Sequence, residues 1–204
     1  MLWNSAAVMA RYGPIAMDKP SFPWYTSYIT YESVVSLMPF SLLPKGIVRA
    51  LPDLTPEMLK QHGIKLLMLD FDNTIVPYTT NVPTGEMEAW LKKMQASDIA
   101  LCVVSNSKRD RVKAFCRDYG LDCITHAKKP FAKGIQQCLA KFGLPARQCA
   151  LAGDQIFTDT LGANCTGCTS ILVKAINNHN IWLKLRHVLE LPFIAMATGR
   201  KWVK

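Results

Sequence analysis

Two aspartates separated by one residue provide the first indication of chemistry. They follow residues 65–69, an apolar run with Lys65 as its only polar member, which predicts a strand buried on both faces of a parallel sheet. The side chains of Asp70 and Asp72 share one side of the chain for as long as it stays extended. Because two carboxylates at the end of a buried strand repel each other and lose solvation, the pair predicts a bound cation.

Polar residues follow the later predicted strands in the same way. Thr74 ends the turn at 70–74, which we call the acidic turn, with a hydroxyl that can fix the turn or hold one carboxylate. The carboxyl ends of parallel strands meet at one edge, where open sheets bind their ligands, so we expect these groups to converge. The groups that follow the later strands are Ser105, Asn106, Lys129, Asp154 and Asp159.

Several carboxylates, a hydroxyl and an ammonium group together suit a divalent cation and a phosphate. Carboxylate oxygens favour Mg²⁺, which needs only one or two of them beside phosphate oxygens. Asp70 could then attack phosphorus, while Asp72 protonates the leaving alcohol and later activates water. Ser105 and Lys129 would hold the equatorial oxygens of the phosphoryl group.

Strands and helices alternate through the part of the chain that must position these groups. This alternation predicts a doubly wound α/β domain with a parallel sheet. The predicted strands are 65–69, 99–104, 122–125, 148–152 and 169–173, and the predicted helices are 85–97, 108–119 and 131–142.

Four short stretches resemble the motifs of haloacid dehalogenase (HAD) superfamily phosphatases. They are DFDNT at 70–74, SN at 105–106, KKP at 128–130 and GDQIFTD at 153–159. The longer stretches of sequence around these motifs are similar to the YqeG subfamily of the class IIIA group and to mitochondrial phosphatidylglycerophosphate phosphatases. The resemblance implies an HAD-like Rossmannoid core over 61–175 and a Mg²⁺-dependent phosphatase.

The resemblance also implies a role for each acidic residue. Asp70 becomes the nucleophile that forms an aspartyl phosphate, and Asp72 becomes the general acid and base. Mg²⁺ is held by Asp70, by the backbone carbonyl of Asp72 and by Asp154, with Asp159 in support. Thr74 supports the acidic turn.

The same comparison implies a phosphate-binding set at the neighbouring strands. Ser105, with Asn106 next to it, and Lys129 bind phosphate. Lys129 fits this role better than Lys128 because it directly precedes Pro130, as in the family pattern.

The spacing between the motifs bears on the substrate. Neither 74–105 nor 107–128 has room for a cap domain, so we expect no cap domain and a site that cannot enclose a small metabolite. Water would then be excluded by the substrate or a partner surface. This favours a phosphate carried on something large, such as a lipid headgroup, a protein or a nucleic acid end.

The terminal segments offer a lipid-binding interpretation. We expect a flexible tail over 1–30 and an apolar helical segment over 31–60, with a helix starting at Thr55, that packs on the domain or on a membrane. Residues 176–204 form a basic amphipathic segment in which Trp202 lies among basic residues. Such a segment can lie on an anionic bilayer or pack on the sheet.

Charge and cysteine content set the remaining expectations. The chain of 204 residues has a net charge of +9, and residues 171–204 hold six Lys/Arg against one acidic residue. No apolar run reaches the roughly 20 residues of a membrane span. The seven cysteines, Cys165 and Cys168 included, have no framework spacing and predict reduced thiols in a cytoplasmic protein.

We therefore expect a Mg²⁺-dependent phosphatase that acts on phosphatidylglycerophosphate at the cytoplasmic face of an anionic membrane. A first alternative is a phosphatase for a protein or nucleic acid phosphate, which the basic helix at 108–117 could serve, although nucleic acid is the less favoured partner. A second is a non-catalytic module in which Asp70 only accepts phosphate. Asp72 argues against the second, because an acid/base group serves turnover.

Overall fold

A computed structural model provides the structure of residues 40–107, 110–177, 181–197, 199 and 202, with the backbone alone for 181–187. The predicted tail at 1–30 and residues 31–39 of the predicted apolar segment lie outside the described residues.

Six parallel strands form one sheet in the order β1-β6-β5-β2-β3-β4. β2 lies near the centre, where its last residue, Leu69, pairs with Val103 of β3 and Ala152 of β5. This confirms the doubly wound parallel sheet. The strands are β1 Gly46–Val48, β2 Leu66–Leu69, β3 Ala100–Val104, β4 Asp122–Ile124, β5 Cys149–Gly153 and β6 Thr169–Val173.

Within the described residues six α-helices accompany the strands, and two of them begin at threonine caps. Thr55 accepts a hydrogen bond from the Met58 N–H, as predicted, and Thr84 accepts one from Met87. The helices are α1 Pro56–Gln61, α2 Gly85–Gln95, α3 Asp110–Asp118, α4 Ala132–Phe142, α5 Leu161–Cys165 and α6 Ile181–Met196. A π-helical turn at Ile156–Thr160 leads directly into α5.

Side chains of β2 point alternately into two separate cores. Leu67 and Leu69 belong to the cluster on one face of the sheet, while Leu66 and Met68 belong to the cluster on the other. All four are buried, as predicted for a central strand of a parallel sheet. The end of β2 is therefore held from both sides, which fixes the starting point of the acidic turn.

The region around β1 differs from the predicted helical segment at 31–60. Within its described part, Gly46–Val48 is a strand that pairs in parallel with β6, although α1 is helical. A side chain at Gly46 would meet Trp202, which donates its backbone N–H to the Ile47 carbonyl at 3.2 Å. Pro44 interrupts any helix here, and the free edge of β6 supplies hydrogen-bond partners for an extended chain.

No cap domain interrupts the described part of the sheet. The chain between β2 and β3 forms one loop and α2, and the described residues between β3 and β4 form α3. Among the described residues, no further domain covers the carboxyl edge of the sheet above the acidic turn. All seven cysteines are free.

Helix α6 lies against the turn that follows β5. Its Glu190 is buried and accepts the Ile156 N–H at 2.9 Å, and Phe193 meets Phe157 edge-on. This tertiary contact buries a charged side chain of α6, whereas the apolar Val188 and Leu189 of the same helix are exposed. Among the described residues, no helix has the length and apolar character needed to cross a bilayer.

A glycine at the end of β5 leaves space for an aspartate of the π-helical turn. A side chain added at Gly153 would lie 2.3 Å from the Asp159 carboxyl carbon. We expect Gly153→Ala to lower the free energy of unfolding by about 1–3 kcal/mol, because the buried carboxylate must shift. Urea unfolding measures the change.

The matched control is Gly85→Ala, at a helix start where no atom lies within 4 Å of the added side chain. It should change stability by less than about 1 kcal/mol, in the stabilising direction. Equal effects of the two substitutions would show that the close approach of Asp159 to β5 does not matter.

Candidate active site

Three buried aspartates converge at the carboxyl edge of the sheet. Asp70 follows β2, Asp154 follows β5, and Asp159 comes from the π-helical turn. One carboxylate oxygen of each lies within 4.8 Å of one from the others. Because β2 and β5 are neighbours in the sheet, the ends of two strands and one turn suffice to assemble the group.

Lys129 joins two of these carboxylates. Its ammonium nitrogen lies 2.6 Å from Asp70 Oδ1 and 2.6 Å from Asp159 Oδ1, and its side chain is buried. Burial lowers the pKa of Lys129, but the charges of Asp159 and Asp70 outweigh this effect and raise it overall. Lys129 is therefore a permanent cation inside the acidic group.

Asn106 holds the backbone of Lys129 in place. Its amide nitrogen donates to the Lys129 carbonyl at 2.9 Å, and its oxygen accepts the Lys129 N–H at 2.6 Å. The peptide bond that follows, to Pro130, is cis. The structure thus gives Asn106 a supporting contact, and its predicted contact with phosphate stays a prediction.

The acidic turn is tied to two other segments. Thr74 donates its hydroxyl to Asp70 Oδ2 at 3.5 Å, which matches the predicted support of a carboxylate. Asn73 has a φ of 66° and donates to Asp154 Oδ2 at 3.3 Å, while its oxygen accepts the Asn177 N–H. Asn73 is a site residue that the sequence identified only as part of the turn.

Ser105 is buried at the end of β3, one strand away from Asp70. Its hydroxyl oxygen accepts the Ser107 N–H at 3.0 Å, and its carbonyl accepts the Ala127 N–H. These bonds tie the β3 end to the segment that carries Lys129. The predicted phosphate contact of Ser105 stays a prediction.

Asp70 lies in surroundings that oppose its negative charge. Burial raises its pKa from 3.8 to about 6; the charge of Lys129 works against this rise and that of Asp159 adds to it. Without further positive charge, ionising Asp70 is therefore costly in the folded protein.

Asp72 is separated from the buried group and pairs with Arg111. Its Oδ1 forms an ion pair with the guanidinium, which comes from the first turn of α3. Arg111 is not among the predicted site residues; the sequence indicated it only as part of the basic helix at 108–117. Its position was a usable signal, because a cation at a helix amino terminus is unfavourable unless an anion compensates it.

The donor set suits a divalent ion. With Asp70, Asp154 and Asp159 ionised, three carboxylates face the single ammonium of Lys129, which leaves two excess negative charges. Hard oxygen ligands in this number and sign are those that Mg²⁺ and similar cations prefer. The Asp72 side chain lies outside the group, which fits the contribution of its backbone carbonyl that the resemblance implies.

The chain matches one protein family over most of its length. A family model described as mitochondrial PGP phosphatase matches residues 31–176. The chain belongs to this family. It is a phosphatase of the HAD superfamily, of the YqeG type, which confirms the resemblance drawn from the motifs and excludes the non-catalytic alternative.

Two relatives and one solved structure illustrate the similarity. The chain is 34% identical to "Probable phosphatase YqeG" of Bacillus subtilis over 131 residues, which are 64% of this chain and 76% of that protein. It is 26% identical to "Phosphatidylglycerophosphate phosphatase 1, chloroplastic/mitochondrial" of Arabidopsis thaliana over 174 residues, which are 80% of this chain and 49% of that protein. The chain thus spans about half of the plant relative.

The solved structure is the cobalt-bound deoxy-D-mannose-octulosonate 8-phosphate phosphatase (YrbI) of Haemophilus influenzae. It has a TM-score of 0.45 and 14% identity, with 69% of this chain and 92% of that chain covered.

The raised pKa of Asp70 predicts a pH-dependent stability. Because the native state holds this proton more tightly than the unfolded chain, the stability contribution of Asp70 falls as pH rises from about 4 to about 6. The difference between a pKa of 3.8 and a pKa of about 6 corresponds to about 3 kcal/mol in the free energy of unfolding. With a chelator present, urea unfolding of parent and Asp70→Asn should therefore diverge over this range, with the variant gaining in relative stability.

Added Mg²⁺ at pH 7 should stabilise the parent more than Asp70→Asn, since the variant has one carboxylate fewer. If the free energy of unfolding changed with pH in the same way for both proteins, or if Mg²⁺ stabilised both equally, a desolvated Asp70 in a cation site would be contradicted.

Proposed function

We propose that this protein is a Mg²⁺-dependent phosphomonoester hydrolase that converts phosphatidylglycerophosphate to phosphatidylglycerol through an aspartyl phosphate on Asp70. One observation carries the proposal: Asp70, Asp154 and Asp159 lie together, buried, with Lys129 between two of them. A nucleophilic carboxylate, oxygen ligands and a fixed ammonium are the parts that phosphoryl transfer requires.

Asp70, the Asp72 backbone carbonyl and Asp154 would hold Mg²⁺, and Asp159 would support them. The ion supplies charge neutralisation for the phosphate and for the crowded carboxylates. This chain's own residues then carry out the two chemical steps.

In the first step a carboxylate oxygen of Asp70 attacks phosphorus, and the bond from phosphorus to the lipid alcohol oxygen breaks. Asp72 donates a proton to that oxygen, so the alcohol leaves neutral. In the second step water attacks the phosphorus of the aspartyl phosphate, Asp72 takes up its proton, and the acyl phosphate bond breaks to restore Asp70. Lys129 and Ser105 hold the phosphoryl oxygens, where negative charge is spread.

The open edge of the sheet supports a substrate that is part of a larger surface. The described chain has no cap domain, so a substrate must itself cover the site to exclude water. The plant relative carries the name of a phosphatidylglycerophosphate phosphatase, and the family is described as a PGP phosphatase. A phosphorylated lipid headgroup in a bilayer meets both conditions.

Exposed apolar side chains occur in the segments that follow the strand ends at this edge. We call the set formed by Tyr78, Val82, Phe131 and Ile176 the apolar rim; each follows the carboxyl end of β2, β4 or β6 and is exposed. Phe131 has 72% of its surface accessible. Exposed lysines lie close by in sequence, at positions 128, 133 and 174. Apolar groups with interspersed cations are the composition that binds anionic bilayers.

Helix α6 adds apolar surface next to the same edge. It is anchored through Glu190 to the turn after β5, and Val188, Leu189 and Leu191 are exposed. These residues support the predicted peripheral contact with an anionic membrane. The Trp202 ring instead stacks on His62 within the domain, with 3.9 Å between ring centroids. The cytoplasmic location stays a prediction.

The substrate can be tested with lipid in mixed micelles. We expect purified parent protein and Mg²⁺ to release inorganic phosphate from phosphatidylglycerophosphate, and Asp70→Asn to lose at least about 10³-fold of the rate, because the nucleophile is gone. Phosphate release over many turnovers is the measurement.

Three outcomes would distinguish the parts of the proposal. Activity on soluble phosphomonoesters but none on the lipid would defeat the substrate. RNA binding that is salt-sensitive and stronger than vesicle binding would favour a nucleic acid phosphate. Full activity of Asp70→Asn would defeat the mechanism.

The apolar rim can be tested by vesicle sedimentation. Phe131→Ser should weaken binding to vesicles of phosphatidylcholine with anionic phosphatidylglycerol by about tenfold, because burial of a phenylalanine in the interface contributes on the order of 1–2 kcal/mol. Serine suits this position, since Phe131 is the N-cap residue of α4.

The matched control is Phe40→Ser. Phe40 is 73% exposed, like Phe131, but precedes β1 at the amino edge of the sheet. Equal losses for the two variants would mean that binding does not depend on the carboxyl edge. Binding of the parent that is independent of the anionic lipid would remove the role of the lysines.

A further inference from the structure

Arg111 points inward from α3 and contacts the turn that carries Asp72. Besides its ion pair with the Asp72 carboxylate, it donates to the carbonyls of Tyr78 and Thr80 at 3.3 and 3.4 Å. It also donates to Asn81 Oδ1 at 3.2 Å. One guanidinium thus joins Asp72 to the loop that follows the acidic turn.

Phe71 provides a second connection between the same two segments. The Arg111 guanidinium carbon lies 5.1 Å from the centre of the Phe71 ring, and this ring meets Phe115 of α3 edge-on. Phe71 is fully buried between Asp70 and Asp72 in the chain. The backbone of the two aspartates is thereby held against α3 by ring packing, and the Asp72 side chain by the guanidinium.

The location of Arg111 carries an energetic cost that these contacts must offset. Burial lowers its pKa, and its place in the first turn of α3 sets a cation against the helix dipole. The Arg111 side chain is 13% exposed and the Asp72 side chain 16%, so the ion pair is shielded from water on most sides. A planar guanidinium presents five donors in a fixed fork and so holds a carboxylate in one orientation, whereas the three donors of an ammonium group rotate freely.

We propose that Arg111 is a positioning residue that holds the Asp72 carboxyl group in the orientation needed to pass a proton to the leaving alcohol. The inference rests on the proposed function, in which Asp72 is the general acid. Arg111 acts through Asp72, because it fixes the side chain that carries the proton.

A leaving-group comparison tests this role. A nitrophenolate leaves readily without protonation, whereas the alkoxide of glycerol 3-phosphate needs the proton. The ratio kcat/KM reports the phosphoryl transfer to Asp70 and is insensitive to later hydrolysis of the aspartyl phosphate. Parent, Arg111→Met and Arg111→Lys are assayed with Mg²⁺ on p-nitrophenyl phosphate and on glycerol 3-phosphate.

We expect Arg111→Met to lower kcat/KM for glycerol 3-phosphate by about 10²-fold or more, and that for p-nitrophenyl phosphate by less than about tenfold, since a positioned general acid contributes about 10²–10⁴-fold. Arg111→Lys keeps the charge and loses the planar fork, so it should lie between parent and Arg111→Met on the alkyl ester.

Arg117→Met is the matched control on the same helix. Arg117 is exposed and lies 4.0 Å from the exposed Asp118, and such a pair contributes almost nothing to stability. The kcat/KM values of Arg117→Met on the two esters should therefore equal those of the parent. Equal losses on the two esters, or none on either, in Arg111→Met would overturn the positioning role. If the parent accepts only the lipid, an unchanged kcat/KM of Arg111→Met on phosphatidylglycerophosphate in mixed micelles would overturn the positioning role. Inactivity of the parent on the lipid and on both esters would instead overturn the proposed phosphatase chemistry, and this inference with it.

Discussion

The site depends on one buried ammonium between carboxylates. Lys129 binds Asp70 and Asp159 at 2.6 Å each, and Asp154 completes an acidic group that one lysine cannot neutralise. Two negative charges remain in a buried region, and burial is the main cause that raises the pKa of Asp70 to about 6. The arrangement is costly for the folded protein alone and becomes favourable when a divalent cation and a phosphate share the site. Stability is thus traded for a site that is ready for its ligands.

Several features of the fold serve to keep this group together. Asn106 bonds both backbone groups of Lys129, and Asn73 adopts a positive φ that lets it reach Asp154. Gly153 gives Asp159 the space to approach β5. Each of these residues fixes a segment that carries a proposed catalytic or metal-binding side chain. They come from three different strand ends, which explains why the site needs the whole central sheet rather than one motif.

The uncovered edge in the described part of the chain also bears on how the charged site meets its substrate. In a capped phosphatase the protein would close over its substrate, whereas the described residues here include no cap domain, and exposed apolar side chains and lysines occur in the segments that follow the strands. A bilayer could supply both the substrate and the exclusion of water. Arg111 belongs to this edge as well, because it braces Asp72 and the following loop in the absence of a covering domain.

The sequence by itself determined the parallel α/β fold, the five strands from β2 to β6 and the convergence of Asp70, Asp154, Asp159 and Lys129. Apolar strands that end in polar residues at one edge of a sheet allow few other arrangements of the chain. Tertiary structure alone decided three things. β1 is a strand because it forms hydrogen bonds with the edge of β6. Glu190 is buried because it accepts the Ile156 N–H, and Arg111 turns inward because Asp72 lies within its reach. Each depends on a partner distant in sequence, which local patterns cannot reveal.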